Sequence, residues 1–115
     1  MPAENIEQLL AQVQNQNQFL QSIMLQKQTL TIQSKETQSA LDELDRSGDD
    51  VYKAVGPILV KSKKDDLKKE LQDSMDELDL KIKSLERQEE RIKNQLENLQ
   101  KKFQELIKPH EVVGG

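Results

Sequence analysis

Apolar residues recur every three or four positions along two long stretches of the chain, which a short β-branched stretch separates. We call the two positions per heptad that face a partner helix the seam. The first repeat runs from Ile6 to Leu44, and eight of its twelve seam positions are apolar. The second repeat runs from Lys68 to Leu106, and ten of its twelve seam positions are apolar. A repeat of about 3.5 residues predicts two helices that form a left-handed coiled coil.

The ends of these helices carry recognisable signals. Gly48 is expected to end the first helix in a left-handed conformation. Ser62, followed by Asp65, is expected to cap the start of the second helix, and Pro109 to end it. We therefore predict that residues 1–115 form one domain of four parts: a helix over 4–47, a β-hairpin over 51–61, a helix over 62–108 and a flexible tail over 109–115.

The two predicted helices have similar lengths, so the second can fold back along the first as an antiparallel coiled coil. A register with Leu44 opposite Leu71 places Lys27 near residue 88, beside Glu89. Both charges lie in the seam, where burial is costly unless they pair, so we predict that they form an ion pair. Alternatively, each side chain bends outward to solvent separately.

The β-branched stretch between the helices predicts two short strands around a Gly56-Pro57 turn. A two-stranded ribbon is marginally stable in water, and its open edges promote aggregation unless they pair. We therefore predict an obligate oligomer that assembles through this hairpin, although an irregular loop between the helices is the alternative. The residues expected to carry oligomerisation are Val51, Tyr52, Val55, Gly56, Ile58, Leu59 and Val60.

The composition favours a coiled coil over a compact domain. Charged residues make up 33% of the chain and aromatic residues 3%, and there is no Trp. A coiled-coil seam needs only two apolar residues in seven, whereas a compact core needs more. The net charge of −4 argues against a nucleic-acid partner, because proteins that bind phosphates usually present a basic face.

The sequence shows no pattern typical of a catalytic, metal or cofactor site. There is no Cys, the only His is His110 in the predicted tail, and no glycine-rich loop is present to bind ATP phosphates. We therefore expect no enzymatic activity, no cofactor and no metal. No apolar run reaches the roughly 20 residues that span a membrane, and the N-terminus does not resemble a signal peptide. We expect a cytoplasmic protein with no membrane partner.

Nearly the whole chain resembles the β class of the prefoldin family. The resemblance is most specific in "VYKAVGPILVKS" at 51–62, and it extends through "QKQTLTIQSKETQSALDEL" at 26–44 and "LERQEERI" at 85–92, which is similar to the archaeal form. It implies a mainly α fold: a long antiparallel two-helix coiled coil with a central short β-hairpin that joins an intersubunit β-barrel. It also implies a hexamer of two α and four β subunits.

The resemblance further implies an ATP-independent chaperone that holds unfolded proteins at the coiled-coil tips and delivers them to a group II chaperonin. Such a holdase needs apolar surface that its own packing does not use, and the register places apolar residues off the seam: Leu10, Phe19, Met24, Leu25, Ile32, Leu80 and Ile107. The predicted client-binding residues at the tip are Ile6, Leu9, Leu10, Val13, Phe103, Leu106 and Ile107. A structural coiled-coil adaptor that oligomerises through its hairpin, without chaperone activity, is the alternative.

Overall fold

The computed structural model describes the backbone of residues 2–107 and the side chains of residues 5–107. Helix α1 spans Pro2–Arg46, strands β1 and β2 span Val51–Val55 and Ile58–Ser62, and helix α2 spans Lys64–Ile107. The two strands pair as one antiparallel sheet. The predicted fold class, two long helices joined by a β-hairpin, is therefore confirmed.

The chain divides into two compact units. The first, here called the terminal unit, combines Met1–Gln26 with Leu85–Gly115, and the second, the central unit, is the continuous segment Lys27–Ser84. Each unit contains segments of both helices, and the central unit also contains the hairpin.

In the terminal unit, the beginning of α1 lies antiparallel to the end of α2. Leu9 and Leu106 line one depression between them, and Gln16 and Leu99 line the next. Among the side chains that the structure describes in this unit, the buried apolar ones all occupy seam positions of the heptad repeats: Ile23, Leu85, Ile92 and Leu96. The heptad pattern therefore identified the core of this unit correctly.

In the central unit, side chains near the end of α1 contact side chains near the start of α2. Asp45 pairs with Lys68 at 2.8 Å, and the Ser34 hydroxyl donates a hydrogen bond to the Met75 sulfur at 3.8 Å. In the predicted register, residues 70 and 81 face Asp45 and Ser34, two and six positions from the observed side-chain partners, and the register of this unit stays a prediction. The pairing of Lys27 with Glu89, which was argued from that register, stays a prediction.

The junction between α1 and the hairpin differs from the sequence-based expectation. Among residues 2–107, Gly56 alone has a positive φ, so the predicted left-handed conformation of Gly48 is wrong. Instead, the Ser47 N–H and hydroxyl both donate to the Leu44 carbonyl oxygen, at 3.2 and 2.8 Å. The Lys64 ammonium donates to the Ser47 carbonyl oxygen at 2.7 Å, which satisfies an acceptor beyond the helix end.

The start of α2 also lies later than predicted. Ser62 pairs with Val51 in the β-ladder and therefore belongs to the strand, not to a helix cap. The first turn of the helix instead uses the Lys63 carbonyl oxygen, which accepts the Leu67 N–H at 3.0 Å. The predicted helix end at residue 108 and the tail over 109–115 lie outside the described residues.

Candidate functional site: the hairpin and the helix ends

The hairpin turn has the geometry that its two central residues require. Val55 pairs with Ile58, so the loop contains only Gly56 and Pro57. Gly56 has a φ of 57°, whereas the proline ring fixes a negative φ at the second position. A two-residue loop with a positive φ at its first residue only is a type II′ turn, whose twist suits a β-hairpin. The predicted turn is confirmed.

Most large apolar side chains of the hairpin are exposed. Val51 is buried, but Tyr52, Val55, Ile58 and Val60 are between 42% and 58% exposed, and Leu59 reaches 72%. Because side chains alternate across a strand, Val55, Ile58 and Val60 lie on one face and Tyr52 and Leu59 on the other. The hairpin therefore presents apolar surface on both faces. We call this set of exposed residues the hairpin surface.

Two ion pairs hold the hairpin near its base. Lys53 of β1 contacts the Glu70 carboxylate of α2, and Lys61 of β2 lies 3.5 Å from the Asp50 carboxylate. Lys53 shares its face of the sheet with the buried Val51, so this face is directed toward the helices of the central unit near its base. The Lys53 contact joins the middle of β1 to α2, whereas the turn end of the ribbon is exposed.

The Asp45–Lys68 pair lies at the junction from which the hairpin emerges. The hydrogen bond from Lys68, followed by its positive charge, lowers the pKa of the Asp45 carboxyl. The same contact raises the pKa of the Lys68 ammonium. Both side chains are about half exposed, so solvent screens the attraction between them.

The predicted tip residues divide into exposed and half-buried side chains. Leu10, Leu106 and Ile107 are 45%, 40% and 53% exposed. Ile6, Leu9, Val13 and Phe103 are half-buried. The structure brings Leu9 and Leu106 together in the wall of one depression. We call these seven residues the helix-end surface.

The other apolar residues predicted to lie off the seam are exposed as well. Phe19, Met24, Leu25, Ile32 and Leu80 are between 49% and 69% exposed. Their off-seam assignment is confirmed, because the buried side chains of both helices are all at seam positions. Exposed apolar side chains are thus available along the helices as well as at their ends.

Sequence reasoning missed a set of carboxamide side chains in the terminal unit. A depression of about 350 Å³ is lined by Asn5, Gln8, Leu9, Gln12, Lys102, Glu105 and Leu106. A second depression, of about 430 Å³, is lined by Gln12, Asn15, Gln16, Gln95, Asn98, Leu99 and Lys102. The two depressions share Gln12 and Lys102, and together we call them the amide groove. The run "QVQNQNQ" at 12–18 was its visible signal.

Within residues 2–107, no three His, Cys, Asp or Glu side chains are grouped so that they could hold a metal ion. His110 lies outside these residues. Neither α1 nor α2 contains an apolar stretch that would suffice to span a bilayer.

Comparisons with known proteins give one consistent result. Residues 7–109 match the model of the Prefoldin subunit family. The chain is 40% identical over 106 residues to the prefoldin subunit beta of Archaeoglobus fulgidus, covering 90% of this chain and 91% of that one. It is 37% identical over 112 residues to the prefoldin subunit beta of Methanothrix thermoacetophila, covering 96% and 93%.

A solved structure is similar over the same length. The crystal structure of the prefoldin beta subunit from Thermococcus strain KS-1 superposes with a TM-score of 0.86 at 33% identity. The superposition covers 92% of this chain and 95% of that one. The likeness therefore includes both helices and the hairpin between them.

Proposed function

Because the chain belongs to the prefoldin family of chaperone subunits and resembles its β class, we propose that it is a cytoplasmic, ATP-independent holdase subunit. It binds unfolded proteins, prevents their aggregation and delivers them to a group II chaperonin. Membership of the family implies oligomerisation with other prefoldin subunits. The proposed assembly is a hexamer of two α and four β subunits.

The observation that carries this proposal is the presence of two exposed apolar surfaces in different units of the chain. The hairpin surface belongs to the central unit and the helix-end surface to the terminal unit. The hairpin residues and, at the helix ends, the off-seam Leu10 and Ile107 are not needed for packing between the helices, whose seam residues supply the core. Exposed apolar area in two separate units is typical of a protein that both assembles and binds other chains.

We assign assembly to the hairpin surface. Within the described residues the sheet has two strands, so each strand keeps one edge with unpaired backbone groups. Strands from other subunits can continue both edges and can cover Tyr52 and Leu59 on one face and Val60 on the other. This is the basis for the proposed intersubunit β-barrel.

We assign client binding to the helix-end surface. Leu10, Leu106 and Ile107 offer apolar area to a ligand, because packing between the two helices leaves these side chains exposed. Unfolded proteins expose apolar segments, which bind such area because burial removes it from water. Each helix end binds weakly, but several ends in one assembly act together through their high effective concentration.

The proposal is tested by co-expressing the chain with an archaeal α-type prefoldin subunit. Light scattering should give the mass of an α2β4 hexamer, and this hexamer should suppress aggregation of a chemically denatured test protein without ATP. A monomer that does not suppress aggregation would contradict both assignments. A hexamer without suppression would instead favour a structural adaptor that oligomerises through its hairpin.

A further inference from the structure

The amide groove differs from the other surfaces of the chain in its chemistry. Its two depressions are lined by seven Asn and Gln side chains, which come from both helices of the terminal unit. Lys102 and Glu105 are the only charged residues in its lining, and their charges are opposite. Leu9, Leu99 and Leu106 supply apolar area between the carboxamides. The groove is therefore near neutral and rich in uncharged polar groups.

Within residues 5–107, the groove carboxamides make no hydrogen bond to another side chain. Elsewhere on the helices, the side chains of Gln26, Gln38 and Gln72 donate hydrogen bonds to Ser22, Asp42 and Asp76, one turn along their own helix, at 3.1–3.3 Å. Among residues 5–107, no such hydrogen bond involves a carboxamide of the groove. Their donors and acceptors are consequently available to a ligand.

A carboxamide carries both an NH2 donor and a carbonyl acceptor, which are the same groups that a peptide main chain offers. We propose that the amide groove binds the main chain of an extended segment of a non-native polypeptide. The groove NH2 groups donate to the carbonyl oxygens of the segment, and the groove carbonyls accept from its N–H groups. The three leucines contact the apolar side chains of the segment.

The dimensions of the groove suit such a ligand. Asn5 to Gln16 covers eleven steps of α1, or about 16 Å at 1.5 Å per residue. An extended chain rises about 3.3 Å per residue, so the groove accommodates about five residues. Long glutamine side chains can adjust to the segment, because the helical turn of about 5.4 Å does not match the repeat of a strand.

This inference rests on the proposed function and makes it more specific, since a ligand recognised by its main chain does not need a particular sequence. The affinity of a client segment then depends on its backbone hydrogen-bonding groups as well as on its apolar side chains. Recognition through apolar contact alone would depend only on the latter.

The first experiment compares two fluorescent nine-residue peptides that carry the same side chains, alternating Leu and Ser. One has amide bonds throughout, and in the other the central three amide N–H groups are replaced by ester oxygens. Binding to the assembled hexamer is measured by anisotropy. The loss of several hydrogen bonds predicts an affinity roughly tenfold weaker for the ester peptide. Equal affinities would overturn the inference.

The second experiment uses a substitution for which main-chain recognition and apolar recognition predict opposite changes in peptide affinity. Gln12→Leu removes the hydrogen-bonding groups that both depressions share and adds apolar area at the same place. We expect weaker binding of the amide peptide and little change for the ester peptide. Tighter binding of the amide peptide by Gln12→Leu would show apolar recognition and would overturn the inference.

The matched control is Gln18→Leu, which adds the same apolar group at an exposed position of α1 outside the groove lining. It should bind both peptides like the unmodified hexamer. Failure of the unmodified hexamer to bind the amide peptide and to suppress aggregation would contradict the proposed function. Normal suppression with equal affinity for both peptides would contradict only main-chain recognition.

Discussion

Asp45 and Lys68 join the last turn of α1 to the first turns of α2, with 2.8 Å between the carboxylate oxygen and the ammonium nitrogen. This ion pair lies next to the point at which the hairpin leaves the helices. It is also the contact that shifts pKa values in opposite directions, downward for Asp45 and upward for Lys68. The pair therefore makes a pH-dependent contribution to the stability of the central unit.

The sign of that contribution follows from the direction of each shift. The lowered pKa of Asp45 means that its contribution is present above 3.8, its ordinary value, and is lost as the pH falls through the folded-state pKa. The raised pKa of Lys68 means that its contribution is present below 10.5 and is lost as the pH rises through the folded-state pKa. The contribution of the pair is thus complete over the whole neutral range.

We predict that Asp45→Asn lowers the midpoint of thermal unfolding slightly at pH 7, because exposed ion pairs contribute little. The difference from the unmodified protein should be constant between pH 5 and 9 and should shrink under strongly acidic conditions. Circular dichroism melts across pH measure it. A difference that grew on acidification would contradict the assigned pKa direction. Asp42→Asn is a suitable control, since Asp42 is exposed and accepts a hydrogen bond from Gln38 of its own helix.

The two glycines of the central unit should respond differently to alanine. Gly56 has a φ of 57°, where an alanine side chain is strained by about 1–2 kcal/mol. Gly48 lacks a positive φ and has open space around it, so Gly48→Ala should leave stability unchanged or raise it slightly. Urea unfolding of the assembled protein compares the two variants. Equal effects would contradict the type II′ turn.

Two neighbouring residues of α1 test the seam directly. Ile23 is 2% exposed, so Ile23→Ala removes packed methyl groups and should destabilise the coiled coil by about 2–5 kcal/mol. Leu25 is 65% exposed, and Leu25→Ala should change stability by less than about 0.5 kcal/mol. The two variants are compared by chemical unfolding, which is monitored through the helical circular dichroism signal. A large effect at Leu25 would place the seam on a different helix face.

Assembly through the hairpin is tested at its most exposed apolar side chain. Leu59 is 72% exposed in the single chain, and burying a lysine at this position in an intersubunit sheet would be costly. Leu59→Lys should therefore prevent hexamer formation while the helical content is retained. Leu80→Lys, at an equally exposed position of α2, is the control and should assemble normally. Light scattering after co-expression with the α partner gives the mass of each variant.

The heptad repeat was sufficient to predict the helices, their seam and the exposed side chains, because burial in a coiled coil follows sequence spacing directly. Gly56-Pro57 was sufficient to predict the turn, because each residue restricts φ in a different way. The register is less strongly determined by the sequence. A repeat of seven lets one helix slide along the other by a turn while apolar positions still face each other, so the register stays a prediction.

The remaining differences have local causes. Ser62 can cap a helix, but it can equally extend a strand, and its pairing with Val51 decided the outcome. The amide groove was missed although the predicted register places residue 103, the neighbour of Lys102, opposite Gln12. The run of Gln and Asn at 12–18 indicated only an uncharged polar surface.

The central claim, that apolar side chains at the helix ends hold clients while the hairpin holds the assembly together, can be tested with two triple variants. Leu10, Leu106 and Ile107 are replaced by Ser in one hexamer, and Leu25, Ile32 and Leu80, which are on average more exposed, in the control. The mass of each hexamer and its suppression of aggregation without ATP are measured together. We predict that both variants keep the hexameric mass and that only the helix-end variant loses suppression. Full suppression by the helix-end variant, or its failure to assemble, would contradict the account.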